Sequence, residues 1–348
     1  MVEGKSTEAL SLTFTAGVIA GTFVQAVVPW ALPLTLLPVL LLLRQRDSTP
    51  LILITFLTLG IFVSAASLPY ANGDTVISRI ALESAQKLRA LIASIPFKAD
   101  ITAPLLTALL TGDRSGLPAE TIAAFRAAGA SHILALSGLH MGILYLILDK
   151  LTMPIGKSPA AIRIRAALMV TAAAWFTLAT GAGPSIVRAF LFILIGEICT
   201  VTGRPKRPSR VLCLALMIQL VINPGVIHSL GFQLSYLAMA GIVLIYPVLE
   251  KWYPEGPGYN PLRWIWNTAA LSISCQLFTG PLVWFRFRTL PKHFLLTNLM
   301  AIPLVTVLMA AGITTIVLYG AGLCPELLIK STDGLSRLLV WVLEVISS

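Results

Sequence analysis

The chain has 348 residues, 57% of them hydrophobic in type and only 11% charged, and its mean hydropathy is +0.87. A water-soluble domain carries about 25% charged residues, so a soluble globule is excluded and a polytopic membrane protein remains. The net charge of +10 is first explained by cytoplasmic loops, which collect Lys and Arg during insertion, and by itself it names no partner.

Apolar runs of about 20 residues cross a bilayer as helices. Runs near that length fall at 10–28, 31–43, 50–68, 132–149, 160–181, 185–203, 209–223, 230–250, 263–285, 294–320 and 324–346. They are continuous, without the polar–apolar alternation of a membrane β-barrel. The expected fold is therefore an all-α polytopic bundle of roughly nine to eleven membrane helices. The first run follows Glu3, Lys5 and Glu8, a poor start for a cleaved signal, and reads as a retained anchor. The second is short, with Pro29 and Pro33 about its start and Pro38 inside it, which predicts a re-entrant or tilted segment.

Basic loops follow the second run (Arg44, Arg46), the fourth (Lys150, Lys157, Arg163, Arg165) and the sixth (Arg204, Lys206, Arg207, Arg210). One topology puts all three loops, and the N-terminus, in the cytoplasm. The stretch 69–131 then lies outside, as do Arg286, Arg288 and Lys292. That stretch is the longest polar segment. Ile77, Ile80, Ser84, Leu88, Leu91 and Ile95 recur at three- and four-residue steps, predicting an amphipathic helix on the outer face. A second short helix is expected from Pro118, with Glu120 in its first turn, to a stop at Gly129. The domain reading is a hairpin and third span over 1–68, an extracytoplasmic amphipathic segment over 69–131, and a transmembrane domain over 132–348.

Polar groups within the runs are costly, each ionisable one by about 2.5–3.5 kcal/mol at mid-bilayer. They are His132, Ser137, His140, Arg188, Glu197, Gln219, Gln233, Ser235, Gln276 and Asn298. Ser137 and His140 share one face of a regular helix, and Gly138 between them admits a close neighbour. Three roles stay open for this group: helix packing, a polar path, or catalysis with Ser137 as nucleophile and His140 as its base. Arg188 is either an interfacial anchor or an anion-facing cation. Glu197 is placed to pair with a cytoplasmic loop arginine. Gln276 and Asn298 each precede a mid-span proline, Pro281 and Pro303, a combination that builds sites at membrane depth. Arg286, Arg288 and Lys292 sit beside Trp284, Phe285 and Phe287. That mix suits a cationic, stacking entrance for nucleic acid and equally an interfacial belt of snorkelling arginines. Cys199, Cys213, Cys275 and Cys324 lack paired spacing and read as packing residues, with no metal site and no cofactor expected.

Four blocks, in order, resemble the competence domain of ComEC-type DNA-uptake proteins. They are "LLTGDRSGLPAETIAAFRAAGASHILALSGLH" (109–140), "TGAGPSIVRAF" (180–190), "NPGVIHSLGFQLSYLAMAGI" (223–242), and the set Gln276, Pro281, Asn298 and Pro303 with "TNLMAIPLV". The resemblance covers about 100–305. It implies a non-enzymatic channel in the bacterial inner membrane that passes single-stranded DNA into the cytoplasm during natural transformation. His132, Ser137, His140, Arg188, Gln233, Ser235, Gln276 and Asn298 would line the path. Arg114, Arg286, Arg288 and Lys292 would form a basic outer mouth. Family members carry an OB-like domain where residues 69–98 stand, and many add a metallo-β-lactamase-like domain. The expectation here is a minimal, channel-only form served by separate OB-like and nuclease proteins and a cytoplasmic DNA motor. Rival expectations are a transporter of a small anion or lipid on the same scaffold, an intramembrane Ser/His hydrolase, and a non-conducting assembly subunit.

Overall fold

A computed structural model describes residues 5–23, 49–66, 76–253, 260–290 and 293–347. Among the described residues there is no strand. The helices are α1 (Lys5–Phe23), α2 (Thr49–Ala66), α3 (Val76–Ser94), α4 (Thr102–Thr111), α5 (Ala119–Ala127), α6 (Ser131–Leu134), α7 (Gly138–Thr152), α8 (Pro159–Ala179), α9 (Pro184–Thr202), α10 (Pro208–Ile222), α11 (Leu230–Leu244), α12 (Tyr246–Glu250), α13 (Pro261–Phe287), α14 (Phe294–Gly320) and α15 (Glu326–Ser347).

Helix starts are written in the sequence. Proline opens α8, α9, α10 and α13, at the position where its missing N–H is harmless. Ser158 caps α8 by accepting the Ala161 N–H at 3.1 Å, and Asn260 caps α13 through the Leu262 N–H at 3.0 Å. Gly129, at φ 80°, closes α5, and the Ala130 N–H reaches back to the Phe125 carbonyl at 2.7 Å. Only glycine takes that left-handed turn without strain, so the expected stop at Gly129 is found.

Among the described residues, five helical stretches are long and apolar enough to cross a membrane: Pro159–Ala179, Pro184–Thr202, Leu230–Glu250, Pro261–Phe287 and Phe294–Gly320. Ile52–Ser64, Thr102–Thr111 and Pro208–Ile222 are shorter apolar helices. The chain is thus an all-α, multi-pass membrane protein. The proline-rich run 31–43 lies outside the described residues. Two expected runs need revision. The run 132–149 is not one helix: α6 ends at Leu134, Ala135 is extended, and α7 begins at Gly138. The run 324–346 forms α15, an amphipathic helix whose inward positions Ile329, Thr332, Asp333, Ser336, Leu339, Val342 and Leu343 repeat at three- and four-residue steps. Its charges, Glu326, Lys330, Arg337 and Glu344, are exposed. The expected amphipathic helix on 77–95 is α3, whose side chains at Ile92 and Ala85 are buried.

The helices fall into two compact units, each discontinuous in sequence: residues 1–73 with 191–236, and residues 74–190 with 237–348. In the first, α1 packs along α2 with backbone against backbone. A Cβ on Gly17 would overlap the Leu57 carbonyl, and one on Gly60 would overlap the Phe14 carbonyl. Small residues permit such approach between membrane helices, where dispersion replaces the hydrophobic effect. Phe14, Val18, Leu220, Phe232 and Tyr236 form that unit's core.

In the second unit, Leu105, Leu106 and Leu109 of α4 meet Phe125 of α5, Val305 and Leu308 of α14, and Leu339 and Leu343 of α15, all of them buried. One carboxylate lies inside this packing. Asp333, 1% exposed, accepts the Lys98 N–H at 2.8 Å and the Thr102 hydroxyl at 2.7 Å. Thr102 also meets the Ser336 hydroxyl at 2.6 Å. One turn toward the start of α15, the hydroxyls of Thr332 and Thr315 pair at 3.0 Å. At the other end of α4, Arg89 of α3 bonds Asp113 at 2.9 Å and donates to the Thr111 hydroxyl at 3.3 Å.

Candidate polar path at the head of α7

The break between α6 and α7 explains Ser137 and His140. Ser137 is extended (φ −135°, ψ 173°) and caps α7, its hydroxyl accepting the Leu139 N–H at 3.3 Å. His140, three residues on, returns the favour: its Nδ1 accepts the Ser137 N–H at 3.2 Å. This is a capping box with histidine in place of the usual Glu or Gln. Because Nδ1 accepts, the neutral ring carries its proton on Nε2. That Nε2 is fully buried and meets no hydrogen-bond partner. A buried donor left this way costs about 1–3 kcal/mol, so the sequence keeps a polar probe aimed into the interior.

The Ser137 hydroxyl lies 3.1 Å from His140 Nδ1, within reach for a nucleophile and its base. Yet the lone pair that would take the serine proton is already occupied by the Ser137 N–H. The geometry is that of a cap rather than an activated serine.

Arg114 secures this break. Its Nε donates to the Leu134 carbonyl at 3.0 Å, the last residue of α6. Asp113 beside it is held by the Ser115 N–H at 3.0 Å and by Arg89. Hydrogen bonds from Ser115, then the Arg89 guanidinium, lower the Asp113 carboxyl below its ordinary value. Gly112, at φ 77°, turns the chain here, and the tip of Leu136 would sit 2.5 Å from any Cβ it carried. The Gly112-Asp113-Arg114 turn is thus a tether between α3, α4 and the α6–α7 break. His132 stands on α6, exposed, with Nδ1 3.2 Å from the Gly129 carbonyl.

Arg188 reaches the same place from α9. It is 8% exposed, and a Cβ on Gly138 would lie 3.2 Å from its Nη2. Gly138 therefore makes room for a guanidinium at the first turn of α7. The positive end of that helix and the arginine add their fields. Ser137, Gly138, His140 and Arg188 form one polar group.

The other expected residues lie elsewhere. Asn298 of α14 donates to the Ser272 hydroxyl of α13 at 3.2 Å, and its Oδ1 is buried without a hydrogen-bond partner. Gln276 faces a groove of about 600 Å³ beside Pro281. Gln233 donates to the Ile227 carbonyl at 2.8 Å, and Ser235 is 9% exposed on the same helix. Both belong to the first unit, where Gln219 accepts the Tyr236 hydroxyl at 3.0 Å. Arg286 and Arg288 are exposed at the end of α13, and Lys292 lies outside the described residues. Among the described residues, no group of three or more His, Cys, Asp or Glu is placed to hold a metal.

Residues 109–348 match the Competence protein family. Among curated proteins, ComE operon protein 3 of Bacillus subtilis is 25% identical over 60% of this chain and 25% of its own length. Recombination protein 2 of Haemophilus influenzae is 27% identical over 59% of this chain and 27% of its own length. Uncharacterized protein YcaI of Escherichia coli is 26% identical over 56% and 26%. The chain thus spans about a quarter of the length of these relatives. No solved structure matches it.

Proposed function

Because the chain belongs to the Competence protein family, we propose that it forms a membrane passage for single-stranded DNA in natural transformation. The observation that carries the reading is the polar group at the head of α7. Arg188 supplies a cation beside the positive end of a helix, and His140 adds a desolvated donor. A phosphodiester is an anion that such groups receive. One guanidinium among neutral donors holds each phosphate weakly, which conduction requires.

In this reading the chain conducts rather than catalyses. It sits in the bacterial inner membrane with its N-terminus in the cytoplasm, and Gln276 and Asn298, in the same unit, continue the path away from the head of α7. A cytoplasmic DNA motor completes the system. The domain division expected from the sequence, 1–68, 69–131 and 132–348, is part of the same proposal.

The test is a deletion strain fed labelled DNA, complemented with the chain or with Arg188→Gln. The expected result is loss of transformation while DNA accumulates outside the cytoplasm, restored by the chain and not by the variant. Normal transformation in the deletion strain refutes the proposal. Uptake of labelled oligonucleotide into vesicles containing the purified chain separates DNA conduction from transport of a small anion.

A further inference from the structure

One end of α13 carries features that, apart from Gln276, the polar path does not use. A groove of about 600 Å³ runs along this helix from Gln276 past Gly280 and Pro281 to Trp284, and Leu290 and Phe294 form its far wall. Its volume falls in the range of about 300–1,000 Å³ typical of small-molecule sites. Its lining is apolar apart from Gln276. At its upper end the chain reverses at Arg288, which has φ 54° and donates its N–H to the Trp284 carbonyl. That is the left-handed position after a helix, where glycine is favoured and a long side chain is strained. The arginine there packs over the Phe285 ring, Cζ lying 5.9 Å from the ring centre. Arg286 stands exposed two residues earlier.

The same helix has a second aromatic marker. Trp264 and Trp284 are 43% and 49% exposed, so both face outward. They are separated by twenty residues, about 30 Å along a helix. That equals the hydrocarbon thickness of a bilayer, about 30 Å, at whose two edges tryptophans collect. The arginines beside Trp284 are then at headgroup level, and the groove descends from them among the acyl chains.

We propose that this groove is a binding site for one anionic phospholipid. An acyl chain lies between Pro281 and Leu290, and the headgroup phosphate rests on Arg288 and Arg286. Charge decides the occupant. A zwitterionic lipid fills the groove equally well but gains no net attraction from two guanidinium groups. An apolar partner helix leaves the strained Arg288 unexplained.

The test is native mass spectrometry of the full chain, delipidated and returned to nanodiscs of phosphatidylcholine with a small fraction of phosphatidylglycerol. The expected result is one retained phosphatidylglycerol per chain. Arg286→Ala weakens retention about fivefold, and Arg286→Ala with Arg288→Gly about thirtyfold, as two charges near an anionic surface require. Arg288→Gly keeps the backbone turn and relieves its strain, so this variant melts no lower than the parent in phosphatidylcholine while losing the stabilisation by phosphatidylglycerol. Gly280 has space for a Cβ, its nearest neighbour being 3.5 Å away, so Gly280→Ala keeps the fold, narrows the groove and weakens lipid retention. Equal retention of both lipids, or unchanged retention in the double variant, overturns the proposal. So does a loss of oligothymidylate binding, with lipid retention intact, in the same variant.

Discussion

Replacing Asp333 with alanine should be among the most damaging single changes in the second unit. Its carboxylate, 1% exposed, is the acceptor for the Lys98 N–H and the Thr102 hydroxyl, at 2.8 and 2.7 Å. Alanine leaves the buried Lys98 N–H unanswered, worth about 1–3 kcal/mol, leaves Thr102 only the Ser336 hydroxyl, and opens a cavity besides. The expected loss is about 3–5 kcal/mol. Thr102→Val removes one donor and leaves the carboxylate its other bond, so it should cost about 1–2 kcal/mol. The double variant should be milder than the sum of the two by about 1–2 kcal/mol, because the shared bond is lost only once. SDS titration of the full chain in mixed micelles, followed by tryptophan fluorescence, gives these values. Hydrogen exchange at the Lys98 amide reports the same bond directly. A loss under about 0.5 kcal/mol, the size of an ordinary surface change, would refute the reasoning, as would strict additivity.

Three further outcomes follow from the geometry. Gly60→Leu places a side chain on the Phe14 carbonyl, so α1 and α2 must separate, and disulfide trapping between introduced cysteines on the two helices should fail. Gly142→Leu, with open space around it, should trap normally. Asp113 carries a folded-state pKa below its ordinary value through Ser115 and Arg89. Its contribution is therefore complete above the unfolded carboxylate value, about 3.9, and vanishes as pH falls through the lower folded value. The destabilisation caused by Arg89→Ala, measured by thermal melting, should accordingly be constant from pH 5 to 7 and shrink below about pH 4. Ser137→Ala should cost about 1 kcal/mol as a lost helix cap, and a serine-directed fluorophosphonate should leave the native chain unlabelled. Labelling that disappears in Ser137→Ala would restore the hydrolase reading.

Helix content, the five long spans, the amphipathic α3 and the stop at Gly129 follow directly from apolar period and turn chemistry. The α6–α7 break is harder to see, because Ile133, Leu134, Ala135 and Leu136 keep the run apolar straight through it. The signal present was Ser137 followed three residues later by a side chain able to reach back, with glycine between them. Histidine is an unusual partner in that role. The α15 run reads as a span because its leucines and valines dominate the average. The charges at 326, 330, 333, 337 and 344 carry the better signal, since they sort onto one exposed face except for Asp333. The clasp around Asp333 joins residues more than 200 positions apart, and local pattern carries no trace of such a pairing. The candidate site was legible as a set of polar residue types. Which of them meet was not: Gly138 as the seat of Arg188 depends on how α7 and α9 pack. Arg114, expected as a mouth residue, has one nitrogen committed to the backbone of Leu134.

The contact between α1 and α2 also limits how that pair behaves mechanically. Gly17 sits on the Leu57 carbonyl and Gly60 on the Phe14 carbonyl, so the two rods mesh at notches only one atom deep. Sliding the second rod by one turn would bring Phe56 or Ser64, four residues from Gly60 on the same face, against the Phe14 main chain. The pair has a single register and behaves as one double-width spar, which a bilayer can tilt as a whole but cannot shear.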